Sequence, residues 1–194
     1  TAIARGASAD AAYPNGPSAL ACASQLDFPE SLRALLARGC IVDVPRPTDG
    51  ATPLLLVAAR GRVAPAALLV QARADVNRCS NDGTTPLLAA VAHGSAEMVE
   101  LLLDAGANVE AAGKGGLRAL HLAARRGYTE LTRILLAAHA DPSCLHLQLR
   151  PLILAASKGH ASVVAELLGA KADVSAAYAD GLTALHVAAQ LNNG

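Results

Sequence analysis

Aromatic side chains are almost missing from this chain: it has one Phe, three Tyr and no Trp in 194 residues. A globular core of this length normally fills its volume with rings. Here 53% of the residues are hydrophobic, so the packing has to come from Leu, Val, Ile and abundant Ala. Small side chains suit thin helical layers laid close together. An excess of one charge is missing as well, with a formal net charge of +0 and a pI of about 6.9. A protein held on nucleic acid mainly through phosphate contacts carries a clear basic excess, so no nucleic-acid partner is expected. No apolar run reaches the roughly 20 residues of a membrane helix. The stretch Leu54 to Val70 comes nearest, and Arg60 and Arg62 interrupt it, so no membrane insertion is expected. Cys22, Cys40, Cys79 and Cys144 are scattered, with no Cys-x-x-Cys pair, unlike the dense frameworks of small secreted domains. Reduced thiols and an intracellular, cytoplasmic monomer are the expectation. No signal-peptide pattern opens the chain.

What the chain does have is a recurring phrase. Thr52-Pro53-Leu54 returns as Thr85-Pro86-Leu87, and weaker copies begin at Ser18, Arg118, Arg150 and Thr183. The successive starts are separated by 34, 33, 33, 32 and 33 residues. A fixed period in this range marks a stacked repeat array.

The clearest copy runs from Asp82 to Lys114. Asp82-Gly83 is a turn signal. Thr85 can cap a helix, and Pro86 suits the first helical position, where its missing N–H had no partner. Leu87, Ala90 and Val91 have helical spacing, and Gly94 stops the helix. A second helix is predicted from Ala96 to Asp104, with Met98, Val99, Leu102 and Leu103 as its apolar face and Gly106 as its end. Other copies stop their first helix at Gly61, Gly127 and Gly159. Their second helices carry Leu35-Leu36, Leu69-Val70, Leu135-Leu136 and Leu167-Leu168. Each copy is a pair of short helices with an apolar face that only a neighbour can bury.

Thr-Pro-Leu-x-x-Ala-Ala, then Gly, then Leu-Leu-x-x-Gly-Ala-Asp/Asn, resembles the ankyrin repeat. Leu120-His121-Leu122-Ala123-Ala124 and Leu185-His186-Val187-Ala188-Ala189 carry the family's His, and Gly106-Ala107-Asn108-Val109 its closing phrase. The resemblance implies an all-α solenoid of stacked antiparallel helix pairs joined by β-hairpin-like loops. One array over 1–194 is expected, with complete repeats at 15–48, 49–81, 82–114, 115–146 and 147–179. Segments 1–14 and 180–194 read as the end and the start of truncated repeats. With Thr1 rather than Met at the start, the chain is expected to be a fragment of a longer ankyrin-repeat protein. Some positions depart from the pattern. Arg118 and Arg150 replace the capping Thr, and Arg73, His139 and Lys171 replace the closing Gly. That replacement costs about 1 kcal/mol each if the left-handed conformation is kept. The turn holding Pro45 and Pro47 is one residue longer than usual, and the turn before Arg150 is one shorter.

Catalytic patterns are not found. There is no phosphate-binding Gly-x-x-x-x-Gly-Lys-Ser/Thr loop, and Gly113-Lys114-Gly115-Gly116 reads as a repeat turn. His139, Asp141, Cys144 and His146 offer metal-ligand chemistry without a known zinc spacing. Glu97, Glu100, Asp104 and Glu110 read as a solvated acidic face. His121 and His186 are expected to bond nearby turn groups. Neither metal, cofactor nor enzymatic activity is expected.

The resemblance implies a concave groove lined by first helices and hairpin tips, where partners dock. Just before the helix-stopping glycines stand Arg60, His93, Arg126 and Lys158, spaced by 33, 33 and 32 residues, with Arg125 beside them. They are expected to form a basic row with apolar ends at Leu26 and Leu191. Asn81, Asp82 and Thr84 make one hairpin tip, and Lys114 and Leu117 the next. Leu117, Leu147, Leu149 and Leu182 either form an exposed apolar strip or fold back onto neighbouring hairpins. Leu69 with Asp75-Val76-Asn77 resembles the site where an oxygenase hydroxylates ankyrin asparagines, which makes Asn77 a candidate modification site. The expected function is non-catalytic binding of a protein partner, an acidic peptide or acidic face, in the groove. The alternative is the substrate-targeting arm of a larger enzyme or ubiquitin-ligase adaptor.

Overall fold

Ser18, Thr52 and Thr85 each stand just ahead of a helix and offer a side-chain oxygen to one of its free amides. Ser18 Oγ accepts from the Ala21 N–H at 3.2 Å, Thr52 Oγ1 from Leu55 at 3.3 Å and Thr85 Oγ1 from Leu88 at 3.2 Å. Pro53 and Pro86 then occupy the first helical turn, where a missing N–H costs nothing. The computed structural model describes residues 16–26, 28–145, 149–177, 181 and 183–191. They fall into two compact units, Thr1–Ala107 and Asn108–Gly194.

The first unit contains α1 (Ala19–Gln25), α2 (Pro29–Ala37), α3 (Pro53–Ala58), α4 (Val63–Gln71), α5 (Pro86–His93) and α6 (Ala96–Asp104). Each odd-numbered helix packs on the even-numbered one that follows it. The odd helices also pack on one another in order, as do the even ones. The second unit opens with a 3-10 turn at Lys114–Gly116. It continues with α7 (Ala119–Arg126), α8 (Thr129–Ala137), α9 (Pro151–Ser157), α10 (Ala161–Gly169) and α11 (Ala184–Leu191). Here α7, α9 and α11 pack in order, and α8 meets α10. Among the described residues there are no strands, only isolated bridge positions such as the antiparallel pair Ala177 and Thr183.

The first helices α3, α5, α7 and α9 are apolar nearly all round because they are covered on most sides. All six residues of α3 are buried, as are Pro86–Val91 of α5, Ala119–Ala124 of α7 and Pro151–Ala156 of α9. Ala58, Ala90, Ala123 and Ala155 have no exposed surface at all. The second helices bury a stripe only: Met98, Val99 and Leu102 in α6, Leu131, Thr132 and Leu135 in α8, Val163 and Leu167 in α10. Leu103, assigned to the buried face from its spacing, is only half-buried, at the edge of that stripe.

Gly94 closes α5 at φ 91° with bonds to the Ala90 and Val91 carbonyls, the left-handed stop that its sequence position implied. Arg73, His139 and Lys171 keep the same left-handed conformation without glycine, at φ 64°, 65° and 64°. Arg118 and Arg150 precede α7 and α9 with no capping bond, since a guanidinium has no acceptor. For α7, His121 Nδ1 instead accepts the Arg118 N–H at 3.4 Å.

The loops close with few bonds. Ser80 N–H reaches Thr84 O at 3.0 Å, and Gly113 N–H reaches Leu117 O at 2.8 Å. The turn with Pro45 and Pro47 absorbs its extra residue by closing one position later, from Arg46 N–H to Ala51 O at 2.9 Å. An Arg46–Asp49 ion pair braces it, and the hydrogen bonds from Arg46 pull the Asp49 pKa down to about 2. The core of the short turn before Arg150, residues 146–148, lies outside the described residues.

Between repeats, one loop position reaches forward to the next loop. Asp43 Oδ2 accepts the Asp75 N–H at 3.0 Å, Glu110 accepts the Asp141 N–H at 2.9 Å, and Ser143 Oγ accepts the Asp173 N–H at 3.3 Å. Glu110 is therefore no part of a solvated acidic face. It also pairs with Arg118 at 3.2 Å and is half-buried, whereas Glu97, Glu100 and Asp104 are exposed.

Two stability outcomes follow from this packing. Leu102→Ala, at a site with no exposed surface, is expected to cost about 2–5 kcal/mol. Glu100→Ala should stay within about 0.5 kcal/mol. Urea unfolding of both checks the register, and similar small losses would refute it. Lys171→Gly should raise stability by about 0.5–1 kcal/mol, because relief of left-handed strain exceeds glycine's extra unfolded-state entropy. A lower urea midpoint for that variant would contradict the assignment.

Candidate functional site

Helices α3, α5, α7 and α9 are covered along their length, so the solvent meets chiefly their ends. In the first unit Arg60 stands just past Ala59, the cap of α3, and His93 is the last residue of α5, and both are exposed. In the second unit Arg125 and Arg126 end α7 and Lys158 caps α9, again exposed. A cation at a helix C-terminus gains about 0.3–1 kcal/mol from the macrodipole, which accounts for its tolerance there. Arg60, Arg125 and Lys158 enter no ion pair among the described residues. By contrast Arg33, Arg46, Arg118 and Arg133 each meet a carboxylate, Arg133 pairing with Glu166 at 2.8 Å.

His93 has a packing role as well. A Cβ placed on Gly61 would stand 2.5 Å from His93 Cδ2, so the imidazole lies directly on the glycine backbone of the preceding repeat. The second unit repeats the device from a different position. The ring of His160 lies on Gly127, 2.7 Å from where a Cβ would be, and its Nε2 is 3.2 Å from the Arg125 carbonyl. Sequence reading passed over His160. Its signal was the helix-stopping glycine one repeat earlier, which leaves room for a ring.

The hairpin tips are polar and bonded to themselves. Asp82 accepts from Ser80 Oγ at 2.6 Å and from the Thr84 N–H at 3.1 Å, which holds its pKa below the ordinary carboxylate value. Asn81 donates its N–H to Asp49 O at 2.8 Å. Asn81, Asp82 and Lys114 are exposed and Thr84 is half-buried. Leu117 and Leu149 are half-buried, while Leu147 and Leu182 lie outside the described residues. Asn77 is exposed, and its amide donates to Gly106 O at 3.2 Å. It stands at the loop position used by Asp43, Glu110 and Ser143 to join repeats.

Cys144 is a thiol beside an imidazole. Both side chains are buried, with Sγ 3.7 Å from each ring nitrogen of His121. The imidazole is already engaged, because Nδ1 accepts the Arg118 N–H and Nε2 lies 3.2 Å from Cys144 O. Burial pushes the Cys144 thiol up to about 11, so it stays protonated and non-nucleophilic at neutral pH. The pair pins α7 to the following turn, in line with the turn-bonding role expected for His121. His186 does the same for the last loop, with Thr183 Oγ1 2.8 Å from its Nδ1. Among the described residues no three His, Cys, Asp or Glu side chains gather as metal ligands. No helix there is long and apolar enough to cross a membrane.

Comparison with known proteins agrees with this architecture. The family model described as "Ankyrin repeats (3 copies)" matches residues 20–113, 55–146 and 120–194. The crystal structure of an ankyrin repeat domain from Acinetobacter baumannii AYE is similar at 30% identity and a TM-score of 0.85, over 89% of this chain and 91% of that one. No curated protein matches the chain significantly. The helix pairs, their glycine stops and the family matches together place this chain in the ankyrin-repeat family.

Proposed function

We propose that the chain is a non-catalytic binding module whose partner protein presents an acidic peptide or acidic face to the cationic ends of the first helices. Ankyrin repeats are generally protein–protein interaction modules and are generally non-catalytic. The observation that carries the finer reading is the exposed, unpaired state of Arg60 in the first unit and of Arg125 and Lys158 in the second. Arg33, Arg46, Arg118 and Arg133 are neutralised by carboxylates within the fold, and these three cations are not. A partner carboxylate would meet a charge with nothing to displace but water and salt ions. Because the helices are already packed, little ordering entropy is lost on binding. Attraction of this kind speeds encounter and weakens with salt, as the Debye length is about 8 Å at physiological ionic strength. Asn81, Asp82 and Thr84 would serve as polar rim contacts in the first unit, and Lys114, with the apolar Leu117 and Leu149, in the second. Asn77 is the residue we assign as a side-chain hydroxylation site.

The test is affinity capture from the source cell with mass spectrometry, using three forms of the chain. Wild type would run beside Arg60→Glu/His93→Glu and Arg126→Glu/Lys158→Glu, so that each unit is probed separately. Circular dichroism confirms folding. The expected result is a captured protein that is lost in at least one variant and released as salt is raised. Identical partners on all three folded forms would reduce the cations to helix-end devices and overturn the proposal.

A further inference from the structure

The charged slot has a second member two residues further along the same turn, and the first unit fills the two slots differently in each repeat. The amides of Phe28, Arg62 and Ser95 each bond a carbonyl five residues back, at Ala23, Val57 and Ala90, with lengths of 3.2, 3.1 and 3.3 Å. These three residues are therefore structurally equivalent, and so are Leu26, Arg60 and His93 two positions earlier. The two slots read Leu and Phe after α1, Arg and Arg after α3, His and Ser after α5. The face is apolar at one repeat and cationic at the next.

The apolar pair is exposed. Leu26 shows 63% of its surface and Phe28 55%. Phe28 is the only phenylalanine in a chain that otherwise packs without aromatics. Burial in the core does not explain its presence. Because α1 packs on α3, the turn that carries these two side chains is the equivalent, one repeat earlier, of the turn that carries Arg60. Glu30, close by in the first turn of α2, is already engaged by Arg33. Asp27 lies outside the described residues.

We infer that this end of the first unit is a two-part docking surface for a partner segment with one large apolar side chain next to carboxylates. The apolar residue covers Leu26 and Phe28, and a carboxylate meets Arg60. The inference rests on the acidic-partner reading above and adds an anchor to it. Charge alone gives steering and modest discrimination, whereas a buried apolar anchor beside it supplies affinity and fixes which way the segment runs.

Random peptides displayed on phage and selected against the 194-residue chain provide the probe. Selected peptides are then synthesised and titrated by fluorescence anisotropy. Titrations use wild type, Leu26→Ser/Phe28→Ser and Arg60→Glu, each checked by circular dichroism. The expected consensus is an aromatic or aliphatic residue beside at least one carboxylate. The double serine variant should bind about tenfold more weakly with its salt dependence retained. Arg60→Glu should weaken binding and flatten the salt dependence. If the double variant does not fold, Leu26→Ser alone replaces it, since that side chain is the more exposed. Acidic peptides without an apolar position, bound equally by the serine variant, would overturn the anchor and leave the basic face standing. Selection of no acidic peptide, or indifference to Arg60→Glu, would overturn both. A concentration-dependent wild-type dimer by light scattering, abolished by the serine variant, would assign the patch to self-contact and overturn the inference as well.

Discussion

The covering of the inner first helices, α3, α5, α7 and α9, by their neighbours is the constraint on which the rest depends. A helix buried on nearly every side has no room for a polar face, so the buried residues of α3, α5, α7 and α9 reduce to Pro, Leu, Ile, Val and Ala, plus His121 in α7. The alanines with no exposed surface let the backbones approach, and that close approach removes the need for rings to fill space. It also makes each helix short, since every added turn would need another buried layer. Chemistry that must face solvent is thereby pushed to two places, the helix ends and the loops.

Those two places divide the polar work between them. The loops spend their side chains on the fold itself. Asp43, Glu110 and Ser143 each tie one loop to the next, and Asp75, Asn108, Asp141 and Asp173 each bond the amide two residues on. Asp82 does the same in its hairpin tip. Arg60, Arg125 and Lys158 are spared this work, because a cation at a helix C-terminus needs no side-chain partner to be tolerated. The same protein thus separates the polar groups that build it from those it leaves available.

Most of the fold was readable from local grammar. Thr52, Thr85, Gly94 and the spacing of Met98, Val99 and Leu102 each specify a bond, a backbone conformation or a buried stripe within a few residues, and local rules suffice for these. The left-handed conformation at Lys171, left conditional by the sequence, is the one that Gly39 and Gly106 adopt at the same repeat position. What escaped was long-range in sequence though short-range in space. Glu110 looked like one of four acids on a wet surface, because its partner amide at Asp141 is 31 residues distant. The role of His160 escaped, because the glycine cradle that receives it lies a full repeat earlier. The burial of Cys144 against His121 required two repeats to be set side by side. Periodicity predicts that repeats stack, but it does not say which side chain crosses from one to the next.

That limit bears on how specificity can arise in so regular a fold. A strictly periodic surface would bind a segment in several registers one repeat apart, because each shift would restore the same contacts. Register is fixed only where a position breaks the period. In the first unit the slot that holds Arg60 and His93 holds Leu26 one repeat earlier, and the slot of Arg62 and Ser95 holds Phe28. A segment sliding by one repeat would place its carboxylate against Leu26 and Phe28 and its apolar side chain against Arg60. Both exchanges are unfavourable, since one leaves a charge without its counterion and the other desolvates a guanidinium without pairing it. The departures from the repeat are therefore where a partner's identity and direction can be written, and the regular helices supply the rigid ruler against which they are read.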